Sequence, residues 1–382
     1  MLIAGGGFAA LETLLALRAL APEHVRVTLA SASPSLAYKP AATGESFDEN
    51  PPLAYDLRAI AADLGAAFRV DRVEAVASAA HRVRFASFTH LDYDALVLAV
   101  GARATVGIPG ALTFRDQQQV HHIRRLAGEL ASGTLRRIVF AVPSGCSWPL
   151  PVYELALLTA TRLGELDLTA EVTIVSPETA PLSVFGEQAS ALVAHLLAER
   201  GVRFVGESHP QSVDRDGALV LASGERLQAD RVVAAPTLRG PRITGLPADR
   251  WGFVTTDALG GVIGVPDVYA AGDMTSFPIK QGGLAAQQAD TIAQRIASTH
   301  GLSVAESRVR RVLRAQLLGG PNPIYLRTEL DEFGQPNASL VHGRFNDSSN
   351  PDTPIEKVFG RYLSPYLQGR QPTRPRTAAV SG

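Results

Sequence analysis

The sequence predicts an α/β protein with two parallel-sheet domains, the first interrupted by the second, and a small α+β segment at the C-terminal end. Three observations support this class. The 382 residues exceed the roughly 250–300 at which one hydrophobic core stops growing. A strand–turn–helix–strand pattern opens the chain, and a second α/β pattern follows from about residue 114. Beyond that unit, the apolar segment at 268–271 predicts another buried strand like those of the first domain.

The chain opens with an apolar strand at residues 2–4, a glycine-rich turn and a helix that reaches residue 20. In the turn, Gly5, Gly7 and Ala10 have the spacing Gly-x-Gly-x-x-Ala. Gly5 permits a tight turn, Gly7 leaves room for a pyrophosphate, and Ala10 allows close helix–sheet packing. The free N–H groups of the helix N-terminus favour phosphate. The motif predicts a Rossmann-like dinucleotide-binding domain; a glycine-rich turn without a ligand is the alternative.

The second strand, at residues 25–29, is not followed by the acid that usually binds the ribose hydroxyls of a dinucleotide. Ser31 stands in that place. A serine hydroxyl can make one hydrogen bond there but not the paired contact of a carboxylate. We therefore expect partial occupancy by a cofactor.

The first domain continues to residue 113. Four more elements are predicted in it: a helix near 57–64 and strands near 68–76, 81–88 and 94–101. The last of these strands is buried and ends at Gly101.

A second α/β unit is predicted over residues 114–236. Its predicted elements are helices near 117–131, 152–163 and 187–200, strands at 137–142, 171–175, 202–205 and 231–235, and a hairpin near 211–228.

The turn after the first strand of this unit lacks the glycine spacing of a nicotinamide-binding domain. It reads Pro143-Ser144-Gly145-Cys146-Ser147-Trp148-Pro149-Leu150-Pro151. Proline has no N–H group, so these prolines remove donors that a pyrophosphate would use. The next strand ends Val175-Ser176-Pro177, with neither the acid that favours NAD nor an arginine for NADP. Binding of NAD(P)H is therefore doubtful.

Residues 237–300 return to the first domain. They contain the strand at 268–271, the pair Gly272-Asp273 and a helix at 282–299. Residues 301–382 are expected to form an interface segment and a polar tail. The predicted elements there are a helix near 304–318, strands at 324–329 and 339–345, and a short aromatic helix near 355–367.

Composition excludes several classes of function. The formal net charge is −1, with 36 Lys+Arg against 37 Asp+Glu, which argues against a nucleic-acid partner. Cys146 is the one cysteine, so an internal disulfide, a Cys-x-x-Cys pair and a multi-cysteine metal site are excluded. No apolar run reaches 18 residues and no signal peptide is evident, which favours a cytoplasmic protein. The arginine- and alanine-rich composition is typical of a bacterial GC-rich genome.

The glycine turn, Gly101 and Gly272-Asp273 together resemble the pyridine nucleotide–disulfide oxidoreductase superfamily. The run from Gly272 to Ala285 and the ending from Lys357 to Leu367 are similar to its sulfide:quinone oxidoreductase and type II NADH dehydrogenase branch. The resemblance implies non-covalent FAD in the first domain, with Asp273 on the ribityl chain. It also implies that the loop carrying Lys39 and Pro40 covers the flavin; an ordinary loop is the alternative.

Within the run that is similar to that branch, Lys280 and Gln281 precede a helix predicted to begin at Gly282. A cation and a helix N-terminus stabilise the negative charge of reduced flavin. The resemblance therefore implies a flavin role for Lys280, with a solvated surface lysine as the alternative. Glu154 matches a glutamate near the flavin edge that could transfer a proton; a carboxylate near the helix start is the alternative.

The cysteines of sulfide-oxidising relatives have no counterpart here. Counting back from Glu154 puts Trp148 at the position of the first thiol, and the second is missing. We interpret Cys146 as a small buried apolar residue and not a nucleophile. His121 and His122 are expected on a solvated helix face, without a metal site.

These features predict an FAD-dependent oxidoreductase that passes two electrons from a small donor to a quinone-like or other acceptor without a cysteine relay. Two alternatives are an NAD(P)H:acceptor reductase with an atypical nicotinamide site and a non-catalytic flavin-binding protein. The expected partners are a small-molecule donor and acceptor. The short C-terminal helix allows at most weak peripheral membrane contact, and it could instead pack in a homodimer.

Overall fold

The computed structural model describes residues 1–22, 24–47, 53–115, 119–299, 301–302, 310–320, 322–337, 342–345 and 360–372. The α-helices are α1 (Phe8–Leu20), α2 (Ala42–Glu45), α3 (Leu57–Asp63), α4 (Val120–Ala131), α5 (Leu150–Glu165), α6 (Glu187–Glu199), α7 (Gly282–Thr299) and α8 (Leu363–Gln368).

The strands are β1 (Leu2–Ala4), β2 (Thr28–Ser31), β3 (Ser35–Ala37), β4 (Ala54–Asp56), β5 (Ala67–Val70), β6 (Val73–Ala77), β7 (Arg82–Phe85), β8 (His90–Asp92), β9 (Leu96–Leu98), β10 (Arg103–Thr105), β11 (Leu112–Thr113), β12 (Arg137–Ala141), β13 (Glu171–Val175), β14 (Val202–Val205), β15 (Pro210–Val213), β16 (Leu219–Leu221), β17 (Arg226–Leu227), β18 (Arg231–Ala234), β19 (Thr237–Arg239), β20 (Val268–Ala270), β21 (Arg311–Leu317), β22 (Ile324–Leu330) and β23 (His342–Phe345).

The first parallel sheet has the strand order β20-β9-β1-β2-β5. Every residue of β1, β9 and β20 is buried, because α1 and α7 cover one face of the sheet and strands β6 and β7 pack on the other. Helix α1, rich in the helix formers alanine and leucine, packs along α7. Strand β20 enters this sheet from the far side of the second unit, so the first domain is discontinuous.

The second parallel sheet has the order β11-β18-β12-β13-β14, and the ribbon β10–β19 connects the two domains. These two sheets confirm the predicted α/β class. The proposed domain boundaries at residues 113, 236 and 300 stay predictions.

The C-terminal sheet, β21-β22-β23, is antiparallel and joins the core of the second domain. Leu313 and Leu317 of β21 share a buried cluster with Tyr153 and Leu157 of α5. Helix α8 instead packs on the first domain, where Leu363 and Leu367 join the cluster around α1. The C-terminal segment therefore contacts both domains.

Two predicted elements are wrong in the described residues. The single strand predicted near 68–76 is two strands, β5 and β6, which belong to different sheets. Residues 311–317 form strand β21 and not the end of a helix, because apolar residues alternate along it and pair with β22. Residues 304–309 lie outside the described part. The strand at 342–345 and the helix at 363–368 confirm parts of the predicted 339–345 and 355–367 elements, whose remaining positions 339–341 and 355–359 are not described.

Candidate cofactor cavity

A cavity of about 1010 Å³ lies at the carboxyl ends of β1, β9 and β20 and extends to α5 and β21. Ligands of open α/β sheets bind at this end of the strands. All the predicted site residues except Ala10 line the cavity: Gly5, Gly7, Ser31, Lys39, Pro40, Gly101, Glu154, Gly272, Asp273, Lys280 and Gln281. Ala10 is fully buried in α1, in the cluster that packs this helix on the sheet.

The glycine turn leaves the entrance to α1 open. Gly5 has a φ of +138°, and a Cβ there would lie 2.1 Å from the carbonyl oxygen of Ala99. A Cβ on Gly7 would meet no protein atom within 4 Å, so its open side faces the cavity. Gly7 is the N-cap residue of α1 and no side chain caps the helix. The N–H groups of the first turn are therefore oriented for an anionic group.

Ser31 is buried, and its hydroxyl accepts a hydrogen bond from the Ser33 N–H at 3.2 Å. The residue that sequence reasoning missed here is Asp71. Its N–H donates to the carbonyl of Ser31 at 2.8 Å, because β5 pairs with β2, and it lines the cavity. Burial opposes ionisation of Asp71, but hydrogen bonds from Ser87, Arg69 and the Arg72 N–H outweigh it and lower its pKa to about 2. An ionised carboxylate therefore lies beside Ser31.

Lys280 is 8% exposed, which contradicts the alternative of a solvated surface lysine. Its Nζ donates to the carbonyl of Thr275 and lies 4.1 Å from the ring centre of Phe253. Burial lowers the pKa of Lys280 to about 8, against the attraction of Asp273 and Asp249. Burial likewise raises the pKa of Asp273, and the charges of Lys280 and Lys39 oppose that shift. The cavity wall thus holds a partly desolvated cation.

Gln281 joins α7 to the C-terminal sheet. Its Oε1 accepts from the Leu284 N–H at 2.9 Å, in the first turn of the helix, and its Nε2 donates to the Arg314 carbonyl at 3.2 Å. A separate part of the cavity wall carries Lys39 and Pro40 in a 3₁₀ turn, Lys39–Ala41. The preceding residue, Tyr38, is buried with its ring 5.8 Å from that of Phe8, which fixes this turn.

Glu154 is 1% exposed and lies at the fifth position of α5. Its Oε2 accepts from the Thr43 hydroxyl at 2.7 Å, and its Oε1 accepts from the Leu318 N–H at 3.1 Å. The carboxylate thus links α2, α5 and the end of β21. These tertiary bonds, rather than the helix start, hold Glu154 at the cavity.

Cys146 lines the same cavity and is half-buried. Burial raises the pKa of its thiol to about 12, although a hydrogen bond from the Trp148 backbone opposes the shift. A thiolate is required for nucleophilic sulfur chemistry, and this thiol stays protonated at neutral pH. These properties agree with a small apolar residue.

The second sheet carries an acid that sequence reasoning also missed. Glu178 follows β13 by three positions, and its Oε2 accepts from the Tyr153 hydroxyl at 2.6 Å and the Ser176 hydroxyl at 2.8 Å. Burial raises the pKa of Glu178. The acid is therefore held by its own domain. The sequence places Glu178 shortly after a predicted strand, but it does not indicate the hydrogen bonds from Tyr153 and Ser176.

The rings of His121 and His122 in α4 lie 3.8 Å apart between centres and are tilted by 41°. Among the residues that the structure describes, no group of three or more His, Cys, Asp and Glu side chains is arranged to hold a metal. Within the same residues, no helix combines the length and hydropathy needed to cross a bilayer.

The residues around the cavity fit a flavin dinucleotide. An open glycine turn faces an uncapped helix N-terminus, Gly272-Asp273 follows β20, and a buried cation lies in the same wall. The fold and this cavity define a dinucleotide-binding oxidoreductase with two domains.

The family model described as pyridine nucleotide-disulphide oxidoreductase matches residues 1–294. The chain belongs to this family. The match confirms the resemblance drawn from the glycine turn and the Gly272-Asp273 pair, and it supports an FAD-dependent oxidoreductase.

Two curated relatives are named as reductase components. The chlorobenzene dioxygenase ferredoxin reductase component of Cupriavidus sp. (strain PS12) is 28% identical over 97% of this chain and 94% of that protein. The biphenyl dioxygenase system ferredoxin--NAD(+) reductase component of Paraburkholderia xenovorans (strain LB400) is 30% identical over 56% of this chain. The aligned region spans about half of the latter protein, 51%.

Two solved structures share the fold. The sulfide:quinone oxidoreductase of Aquifex aeolicus superposes with a TM-score of 0.76 and 18% identity, over 86% of this chain and 83% of that one. The putidaredoxin reductase–putidaredoxin complex gives a TM-score of 0.64 and 20% identity, over 86% and 80%. At such identities, the superpositions establish the fold alone.

Proposed function

We propose that the protein is an FAD-dependent oxidoreductase in which a non-covalent flavin takes two electrons from a small donor and passes them to a quinone-like or other acceptor. The observation that carries the proposal is the convergence of the glycine turn, Asp273 and Lys280 on one cavity. FAD, when bound, supplies the two-electron chemistry that no side chain provides. The electrons reach the acceptor without a cysteine relay.

We assign the binding of FAD to the glycine turn and the walls around it. Gly5 shapes the turn, Gly7 and the α1 N-terminus receive the pyrophosphate, and Ala10 holds α1 against the sheet. Asp273 binds the ribityl chain. The remaining contacts come from Ser31, Lys39, Pro40, Gly101, Gly272 and Gln281, with Asp71 as an added acid at the position where Ser31 replaces one.

Lys280 and Glu154 are the proposed catalytic residues. The buried ammonium of Lys280 favours negative charge in the cavity, which stabilises reduced flavin. Glu154 transfers a proton to or from the substrate, since its carboxylate lines the cavity. Its bonds to Thr43 and Leu318 keep the side chain in one position for this transfer.

A nicotinamide donor is the second candidate. The biphenyl relative is named as a ferredoxin--NAD(+) reductase, so the expectation that NAD(P)H binds poorly is not confirmed. The bonds that hold Glu178 to Tyr153 and Ser176 support that expectation, because they occupy the acid nearest to the end of β13.

Anaerobic mixing of the flavin-loaded protein with millimolar NADH, NADPH or sulfide separates the candidates. We expect slow bleaching of the flavin by both nicotinamides and no sulfide bleaching that depends on Cys146. Fast, saturable bleaching by NADH or NADPH would replace the proposal with an NAD(P)H:acceptor reductase. A protein whose FAD is reduced by dithionite but by none of these donors, and whose reduced flavin no quinone reoxidises, would be a non-catalytic flavin-binding protein.

The remaining assignments concern location and assembly. We propose a cytoplasmic, bacterial protein with small-molecule partners and at most weak membrane contact, with a homodimer as its candidate assembly. The names of the reductase components add a ferredoxin as a further candidate acceptor.

A further inference from the structure

Four arginines and Trp251 lie on the β10–β19 ribbon and in the segment that follows β19. Trp251 is 44% exposed, and the guanidinium carbons of Arg239 and Arg250 lie 4.4 and 4.9 Å from its ring centre. Arg242 donates to the carbonyl of Arg250. Arg103 is paired with Arg239 across the β10–β19 ribbon. We call these five residues the arginine–tryptophan surface.

The arginine–tryptophan surface carries four arginine side chains, all positively charged. In the described part of the chain, none of its four guanidinium groups forms an ion pair with a carboxylate. Asp249 lies in the same turn, but its Oδ1 accepts from the N–H groups of Trp251 and Phe253. Like charges opposite each other on paired strands destabilise a ribbon. Retaining Arg103 opposite Arg239 therefore has a cost that an acidic partner would remove.

The surface adjoins the rim of the cavity. Arg242 itself lines the cavity, as do Ala104 and Leu238, the ribbon residues next to Arg103 and Arg239. Trp251 is two residues from Phe253, whose ring contacts the Lys280 ammonium. A protein bound on this surface would lie next to the cavity that we assign to the flavin.

We propose that the arginine–tryptophan surface binds the acidic face of an electron-carrier protein, an inference that rests on the proposed flavin function. The groups spread over a ribbon and a loop, which suits a protein face better than one small anion. A tryptophan flanked by arginines is the composition of energetically dominant interface positions. For a one-electron carrier, two molecules each take one electron per reduced flavin, and the flavin's protons go to solvent.

Binding is measured directly by calorimetry on the FAD-loaded protein, with an acidic [2Fe–2S] ferredoxin as the probe. We expect binding that weakens steeply with salt, and a loss of affinity of at least about tenfold in the double variant Arg239→Gln/Arg250→Gln. Arg26→Gln removes an exposed arginine at the opposite end of the first sheet, where β2 begins, and should change the affinity by less than about twofold.

Three results would overturn the proposal: equal binding by the double variant and the wild type, equal binding of basic cytochrome c, or tighter binding of a single-stranded oligonucleotide than of ferredoxin. Melting temperatures establish that both variants fold. Flavin content and reduction by dithionite are measured on the same samples. A protein without flavin contradicts the proposed function, whereas flavin-loaded protein that ignores ferredoxin contradicts this surface alone.

Discussion

The ammonium of Lys280 lies 4.1 Å from the ring centre of Phe253, inside the wall of the cavity. Stacking on an aromatic face stabilises a cation that has lost water. Burial lowers the pKa of Lys280 to about 8, so the side chain is mostly charged at neutral pH and loses its charge as the pH rises past that value. This contact allows an apolar wall to hold a positive charge where an anionic ligand group would bind.

Replacing Lys280 should lower the reduction potential of the flavin. A hydrogen bond or contact to a charged group is worth roughly 1–2 kcal/mol, which corresponds to a drop of about 20–45 mV for a two-electron couple. Lys280→Ala and the better shape match Lys280→Met are measured by equilibrium dye titration at pH 7. The difference from wild type should shrink as the pH rises above about 8. An unchanged potential in both variants would remove Lys280 from the flavin.

Glu12 should make the stability depend on pH. It is fully buried in α1, and its carboxylate accepts from the N–H groups of Tyr362 and Leu363 at 3.0 and 2.7 Å. Burial raises its pKa from 4.5 to about 7, against these hydrogen bonds. The folded protein therefore binds this proton more tightly than the unfolded chain, and the contribution is present below pH 4.5 and lost as the pH rises to about 7.

The raised pKa of Glu12 corresponds to a loss of about 3 kcal/mol in the free energy of unfolding between acidic pH and pH values above 7. The free energy of unfolding of wild type should fall between pH 5 and pH 8 more than that of Glu12→Gln, measured by urea denaturation. Because other buried acids titrate too, the difference between the two proteins is the informative quantity. Parallel pH profiles would show that Glu12 does not titrate in this range.

Cys146→Ala should leave the rate of flavin reduction by any effective donor within about twofold of wild type, since a thiol with a pKa of about 12 supplies almost no thiolate at pH 7. Labelling by a disulfide reagent at pH 7 should also be slow in the folded protein. Activity lost in Cys146→Ala but kept in Cys146→Ser would show that the size of this side chain matters and that its sulfur does not. Activity lost in both would restore a redox role for the thiol.

Glu154→Gln should lower turnover by about 10²-fold or more if the carboxylate transfers a proton. The amide keeps an oxygen that can accept from the Leu318 N–H, so the fold should be retained. Thr43→Val removes the hydrogen bond that the Thr43 hydroxyl donates and should lower turnover by less than Glu154→Gln does. A full pH–rate profile in Glu154→Gln that matches wild type would limit Glu154 to packing.

The sequence predicted which residues line the cavity because its signals are local, whereas their binding of FAD stays a prediction. A glycine turn between strand and helix specifies its own geometry, and Gly272-Asp273 follows directly from a buried strand. Strand β21 was missed because Arg311–Leu317 mixes helix-forming arginine, leucine and alanine, and only its pairing with β22 decides the conformation.

Contacts between segments that are distant in the chain could not be predicted from the sequence. Asp71 reaches Ser31 only through the register of β5 on β2, and Phe253 meets Lys280 through tertiary packing. Arg103 and Arg239 likewise become neighbours only because β10 pairs with β19, and these two strands are far apart in the sequence.

The central claim, that the glycine turn and its cavity hold FAD, is tested most directly by titrating the apoprotein with FAD and following quenching of flavin fluorescence. Gly7→Val places its side chain in the open space of the cavity, whereas Gly128→Ala changes a glycine of α4 outside the cavity and also meets no protein atom. We predict that wild type and Gly128→Ala bind FAD with dissociation constants within about twofold of each other, and that Gly7→Val binds at least about tenfold more weakly with an unchanged apoprotein melting temperature. Equal FAD binding by all three proteins, or none by wild type, would contradict the account.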